Sequence, residues 1–346
     1  MARDVGIRDV ANKAAVAVSS VSRVLSGHPN VSPDLKERVL AATRALGYEP
    51  NISARNLRSG ATQTIGLLVP DISNPLFSEF ALYAAETLNE AGYALLIANS
   101  QGLTESDRSH LKLLRPRVDG FLLSLSDETD KGTISMLKEL DKPFVLLDRD
   151  IAKLGSFSVL WDHGAGVRTA ATYLASLGHK RVALIDGNPR IYPTRARSKS
   201  LLSTFGDRSG MHVANYSLAF SPEHGEDTMN LLLDREDRPT AIIAGSNQIL
   251  IGILRSLRRH NLRVPDDISL ITVDHAPMLE FINPPIATID RDCSEFGRAA
   301  AQLLLDQLAG KAANKQLLPI KFDPKSSCAP PTDQLQRARR VRRSSR

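Results

Sequence analysis

The sequence predicts an all-α helix-turn-helix head followed by an α/β core of two doubly wound parallel-sheet lobes. Three observations carry that reading. Two short helical patterns joined by a tight turn occupy residues 7–25. From Thr64 onward, short apolar runs alternate with helical stretches. The runs imply seven to nine strands over about 260 residues, more than one domain comfortably holds, which favours two similar lobes.

In the head, Ile7, Val10, Ala11 and Ala14 recur at helical spacing, and Ala15-Val16-Ala17 makes a short turn. Val18, Val21, Val24 and Leu25 supply the apolar positions of a second helix, while Ser19, Ser20, Ser22 and Arg23 point elsewhere. In a helix-turn-helix the second helix lies in the major groove of DNA. The serines can bond phosphates or bases, and Arg23 can reach guanine O6/N7 or a phosphate. The plainer reading is a small helical hairpin with an exposed Ser/Arg face. Ser32-Pro33-Asp34 then starts a third helix, with a capping hydroxyl, a first-turn proline and an acid suited to the helix dipole. Gly47 stops it, and Tyr48-Glu49-Pro50 closes a head of residues 1–48. Residues 49–63 form a weak helix and linker, with Asn51 as its cap and Ile52 and Leu57 as its only large apolar groups. So narrow an apolar face does not sustain a helix alone.

The core runs are IGLLVP (65–70), YALLIANS (93–100), GFLLSL (120–125), PFVLLD (143–148), RVALIDG (181–187), AIIAGS (241–246) and ISLITVD (268–274). Leu76–Ala91 and Ala165–Leu177 are among the helical stretches between them. Alternation of this kind means parallel sheets covered by helices on both faces. Ligands in such folds sit beyond the carboxyl ends of the strands, so the polar residues ending each run are the ones to inspect.

Composition narrows the function classes. A chain of 346 residues with 42% hydrophobic content can build real cores. The net charge of +6 is concentrated at the ends: residues 1–60 carry +4 and residues 333–346 carry +5, which leaves the middle at −3. A basic terminal module on an acidic body fits DNA binding by one end. The arginine-rich stretch at 337–343 belongs to an expected disordered tail, 326–346; it either adds phosphate contacts or is a solvated extension with no assigned task. The first twenty residues contain no apolar signal core, and no apolar run approaches a membrane span. Cys293 and Cys328 match no metal or redox spacing, so a reducing cytoplasm is expected, with no metal site, no cofactor and no membrane partner. No GxGxxG follows a strand, and no GxxxxGK[ST], GxSxG or metal-spaced His/Cys cluster occurs, so no catalytic residues are expected.

The chain resembles the lactose-repressor (LacI/GalR) family of transcription regulators over about residues 6–325. The matching motifs are IRDVA (7–11), VSRVL (21–25), VSPDLKERVLAA (31–42), LGYEPN (46–51), IGLLVPDISNP (65–75), LGHKRVALI (177–185), RVPDDISLITVD (263–274) and PPIATI (284–289). The resemblance implies a homodimer on a pseudo-palindromic operator, and a periplasmic-binding-protein-like core (64–325) that grips a small effector. It implies three crossovers between an N-lobe of 64–160 plus 291–325 and a C-lobe of 161–290. In the head, Val18, Ser19 and Arg23 align with base-contacting positions, Ser22 with a phosphate contact, and Ser20 lies on the same face. Asn51, Ala54, Arg55 and Leu57 fall in a hinge helix that folds on operator, with Leu57 as a minor-groove wedge. Two departures stand out: Ala15 replaces the usual turn glycine, and Ala17 the usual capping hydroxyl, a loss on the order of 1 kcal/mol.

For the effector, the resemblance implies Asn74, Phe77, Arg149, Arg197, Phe220, Ser246, Asn247 and Asp274. Trp161 is read first as packing, with stacking on a ligand as the alternative, and Arg149 alternatively as a salt-bridge partner of Asp148 or Asp150. Ser246-Asn247 and His275 stand where the family carries carboxylates, which makes the expected cleft more positive. The expectation is therefore a repressor released by a small carbohydrate-derived effector, a sugar acid or sugar phosphate rather than a neutral sugar. The alternatives are a corepressor-dependent or phosphoprotein-tuned regulator of the same family, and a sugar-binding transport protein.

Overall fold

The computed structural model describes residues 5–25, 28, 30–48, 61–154, 157–206, 210–312 and 314–331. The chain divides into two compact units, Met1–Thr62 and Gln63–Arg346.

The head contains three helices: α1 (Ile7–Ala14), α2 (Val18–Leu25) and α3 (Pro33–Leu46). Their apolar faces close one small core of Val10, Ala11, Ala14, Val21, Val24, Val39 and Ala42. The ends follow capping chemistry. Asp9 accepts from the Gly6 amide at 2.8 Å, and Ser32 Oγ accepts from the Leu35 amide at 3.4 Å. Gly47 ends α3 in the left-handed region. Ala15 takes the same conformation (φ 51°) after α1, so an L-residue bears the strain a glycine would escape. Arg38 of α3 donates to the carbonyls of Ala14 (2.7 Å) and Ala15 (3.1 Å), supporting that turn where the helix dipole favours a cation.

The larger unit holds two six-stranded sheets. The first combines β1 (Thr64–Val69), β2 (Ala94–Asn99), β3 (Gly120–Leu123), β4 (Phe144–Leu147), β5 (Ser158–Trp161) and β11 (Gln316–Leu318), in the order β11-β5-β4-β3-β1-β2. The second combines β6 (Arg181–Asp186), β7 (His212–Ser217), β8 (Ala241–Ala244), β9 (Ser269–Val273), β10 (Ala287–Arg291) and β12 (Ile320–Asp323), in the order β12-β10-β9-β8-β6-β7. All pairings are parallel except β10 with β12. Helices cover the sheets; the ones that matter for the site are α4 (Pro75–Glu90), α7 (His163–Ser176), α8 (Tyr192–Phe205), α10 (Asn247–Arg259) and α11 (Cys293–Leu308), with α5 (Thr104–Leu114), α6 (Lys131–Lys138) and α9 (Pro222–Leu233) completing the set among the described residues.

The chain passes between the lobes three times: from β5 into α7, from β10 into α11, and from β11 into β12. Two expected boundaries change. Residues 320–323 pair with β10, so this segment, assigned to the N-lobe by resemblance, is the outer strand of the second sheet. Residues 326–331, expected to be disordered, are stitched to that sheet: the Ser327 hydroxyl donates to the Leu270 carbonyl at 2.6 Å and accepts from the Ala287 amide at 2.8 Å. The Ala329 carbonyl accepts from His179 at 2.9 Å. Among the described residues twelve strands replace the expected seven to nine, because β7, β11 and β12 are edge strands and β5 and β10, their neighbours inside the sheets, are short or end in polar residues.

Candidate functional site: an interlobe cavity

A cavity of about 660 Å³ opens between the lobes. Its wall is built from strand ends: Pro70, Asp71 and Asn74 beyond β1, Asn99 beside Gln101 at β2, Ser124 and Ser126 beyond β3, Asp148 and Arg149 beyond β4. The second lobe adds Asn188 beyond β6, Phe220 beyond β7, Ser246 beyond β8, Asp274 beyond β9 and Arg291 at the end of β10. That is the crevice where parallel sheets bind ligands.

One side of the cavity is aromatic. Phe77 and Phe80 meet edge to face at 5.7 Å, and Phe80 meets Phe296 at 5.6 Å. Trp161 lines the cavity but stacks on Phe296 at 3.7 Å, with the Arg291 guanidinium 4.5 Å from its ring. Packing already uses its faces.

The floor is charged, and its charges are matched. Asp186 closes β6 and accepts from Arg197 Nε and Nη2, both at 2.8 Å. Gly245 makes room for this pair: a Cβ there would sit 2.2 Å from Asp186 Oδ1. Arg291 is paired with both Asp274 oxygens and reaches Asp148 at 3.3 Å. Asp148 also accepts from His163 Nε2 at 2.9 Å. Burial opposes ionisation of Asp148, but His163, Arg291 and Arg149 outweigh it and hold its carboxyl at about 2. Asp148 (φ 52°) and Asp274 (φ 76°) both occupy the left-handed region, so two cavity carboxylates sit on strained backbone. Arg149 is the exception among the cavity's arginines. It donates to the carbonyls of Leu125 and Asp148 and, among the described residues, forms no direct ion pair.

The lobes also touch beside the cavity. Asn188 donates to the Ser126 carbonyl at 2.8 Å, and Arg190 pairs with Asp127 at 3.0 Å. The buried Glu128 accepts from the Tyr192 amide at 2.7 Å and pairs with Arg195. Burial raises the Glu128 carboxyl above its ordinary range despite these donors.

Of the residues read from sequence, Asn74, Phe77, Arg149, Trp161, Arg197, Phe220, Ser246 and Asp274 line the cavity. Asn247 does not; it is buried beneath, and neither side-chain polar atom has a partner. Asn74 and Ser246 double as helix caps for α4 and α10. Two features bear on the expected positive bias. His275 points away from the cavity toward Glu280 at 3.9 Å, while Asp148 and the fully buried Asp186 are each paired with an arginine of the cavity. Asp186, His163 and Arg291 were missed. Asp186 was findable as the last residue of an apolar run, whereas Arg291 ends a strand (ATIDR) too polar to be read as one.

In the head, Val18 (40% exposed), Ser19 and Arg23 are exposed on α2, while Ser20 and Ser22 are half-buried. Arg23 reaches His28 and the Asn30 carbonyl, both at 3.4 Å. Asn51, Ala54, Arg55 and Leu57 lie outside the described residues, as does the arginine-rich stretch. Among the described residues no helix is long and apolar enough to cross a membrane.

Residues 6–51 match the model for bacterial regulatory proteins of the lacI family, and residues 171–328 match that for a periplasmic binding protein-like domain. The ribose operon repressor of Lactococcus lactis is 30% identical over 318 residues, covering 91% of this chain and 95% of its own. A LacI family regulator from Enterococcus faecium solved with bound ribose is 30% identical, with a TM-score of 0.68 over 77% of this chain and 99% of its own. The Lac repressor dimer bound to operator and the anti-inducer ONPF superposes with a TM-score of 0.84 over 94% of this chain and 100% of its own, at 24% identity.

Proposed function

Because the chain belongs to the LacI family of bacterial regulatory proteins, we propose that it is a DNA-binding transcriptional repressor, not an enzyme, whose operator affinity is set by a carbohydrate-type effector held between the lobes. The observation that carries this reading is the cavity itself. Aromatic edges face ion-paired arginines and carboxylates at the ends of two sheets, in a chain that begins with a helix-turn-helix. A sugar ring presents apolar C–H faces and a rim of hydroxyls, and hydroxyls both donate to carboxylates and accept from guanidinium groups.

In this reading Asn74, Phe77, Arg149, Arg197, Phe220, Ser246 and Asp274 contact the effector, and Val18, Ser19, Ser20, Ser22 and Arg23 contact operator DNA. Asn51, Ala54, Arg55 and Leu57 add minor-groove and phosphate contacts from the hinge. The protein acts as a homodimer, whose two-fold axis matches paired half-sites. Effector binding shifts the lobes and lowers operator affinity, by as much as its preference for one state allows. The named relatives support the choice of a sugar: one is a ribose operon repressor, and another was solved with ribose.

The matched charges favour a neutral polyol. A second reading, a sugar acid or sugar phosphate, has one specific observation behind it: among the described residues Arg149 has no direct carboxylate partner to displace. A thermal-shift series with ribose, cellobiose, gluconate and ribose 5-phosphate separates the two, since a ligand that binds the folded state raises its midpoint. A shift with neutral sugars, lost in Arg197→Ala, supports the first reading; a shift confined to anions and lost in Arg149→Ala supports the second. No shift with any of them refutes carbohydrate control. Anisotropy of labelled operator then checks the sign, and an effector that tightens operator binding would overturn release.

A further inference from the structure

We propose that His163 is a positioning residue for this effector site, a neutral imidazole that accepts from Arg197 of one lobe, donates to Asp148 of the other, and so orients the effector-binding arginine. The proposal rests on the effector reading above but makes separate claims about the imidazole.

His163 is the first residue of α7, immediately past the first crossover. It is 1% exposed and does not line the cavity, yet both of its polar partners do. Arg197 Nη1 lies 3.3 Å from Nδ1. A guanidinium has only donors, so Nδ1 must present its lone pair. The ring proton therefore sits on Nε2, which is 3.0 and 2.9 Å from the two Asp148 oxygens. The neighbours thus select one neutral tautomer. Asp186 already holds Nε and Nη2 of Arg197; His163 fixes Nη1, the amino group Asp186 leaves unheld.

The result is a continuous line of alternating acceptors and donors, Asp186–Arg197–His163–Asp148–Arg291–Asp274, that crosses the cavity floor from one lobe to the other and back. Its three carboxylates face two guanidinium groups, and nearby Arg149 supplies a third cation, so protonating His163 would add a further positive charge beside Arg197 and Arg291. The charged and titratable groups facing the ring are Asp148 at the end of β4, Arg291 at the end of β10, and Arg197 and Tyr192 on α8; Trp161 of β5 packs against it. Burial, with Arg197 and Arg291, holds the imidazole below its ordinary range in spite of Asp148. Protonation of Nδ1 removes the lone pair Arg197 uses and sets two cations side by side.

The test uses the full chain, with ribose as the probe. Long-range ¹H–¹⁵N spectra of histidine-labelled protein, with His163 assigned by its loss in His163→Asn, should show an Nε2–H tautomer at pH 7. An imidazolium or an Nδ1–H tautomer at that pH overturns the proposal. By calorimetry, ribose affinity should fall as pH drops from 7 to 5 in wild type. His163→Phe, which fills the space without polar atoms, should bind about tenfold more weakly at pH 7. His163→Asn, whose amide oxygen can replace Nδ1 as acceptor for Arg197, should recover most of that loss and flatten the pH profile. Wild-type affinity in both variants overturns the positioning role. Should His163→Phe fail to fold, His163→Asn and the spectra still decide. If wild type ignores ribose, the ribose reading fails alone, and the tautomer still decides the claim about His163.

Discussion

Asp186→Asn is the sharpest test of how the cavity floor is held together. Asp186 is fully buried, its partner Arg197 is 2% exposed, and two bonds of 2.8 Å join them. Breaking a buried pair by neutralising one partner costs about 3–5 kcal/mol, since the remaining charge stays desolvated. Asparagine keeps one acceptor for Arg197, so the lower end, about 3 kcal/mol, applies. For a unit of about 280 residues, Gln63–Arg346, each kcal/mol moves the midpoint by about 2 °C, which gives a fall of about 5–6 °C. The assay is a thermal melt of the full chain followed by circular dichroism, with and without ribose. The variant should melt within that lower window and lose its sugar response, because Nε and Nη2 of Arg197 are then half released. A midpoint within about 2 °C of wild type together with an intact response would refute the argument that this pair organises the site.

Other expectations follow from the same geometry. Ala15→Gly relieves a left-handed alanine worth about 1–2 kcal/mol, partly offset by the greater freedom of glycine in the unfolded chain, so the head should gain about 0.5–1 kcal/mol; chemical denaturation showing a loss would contradict this. Gly245→Ala forces a methyl group within 2.2 Å of Asp186 Oδ1 and should weaken sugar binding much as Asp186→Asn does, read by calorimetry. Phe281 is 87% exposed and β2 shows Leu96 and Ile97 at its surface; a dimer that covers such groups should dissociate about 10–100-fold more readily in Phe281→Asp or Ile97→Asp, and sedimentation velocity that shows unchanged dimers would exclude these surfaces. His179 is buried between Thr240 and the Ala329 carbonyl, and burial lowers its pKa from 6.5. Below pH 6.5 the unfolded chain therefore binds a proton the folded chain refuses, so stability declines as pH falls through that window; His179→Gln should blunt the decline in melts from pH 7.5 to 5.

The architecture was legible wherever burial on both faces of a sheet demanded an unbroken apolar run. β1, β3, β4, β6, β8 and β9 are such central strands, and each was visible as a Leu/Ile/Val stretch closed by a polar residue. The edges were not. HVANYS of β7 and IKFD of β12 contain no fully buried residue, so their composition resembles that of loops. The same physics governs the site. Side chains just past a readable strand, such as Arg149 and Asp274, were found; Arg291, past an unreadable one, was not. A residue's position in the sequence does not give its partner, so the carboxylates absent at Ser246 and His275 are visible there while the pairing of Asp186 and Asp148 with arginines is not. Pairing across 143 residues, as between Asp148 and Arg291, leaves no local signature.

The third passage between the lobes is a single residue, Pro319, between β11 and β12. Its ring locks φ and offers no amide hydrogen, and the preceding carbonyl, that of Leu318, is held by the Asp162 amide of the first passage at 2.9 Å. Two of the three connecting threads are thus laced side by side, with one of them nearly inextensible. Like the leaves of a book bound along a spine, the lobes are held at that seam against sliding past or pulling away from each other, which leaves rotation as the movement these threads oppose least.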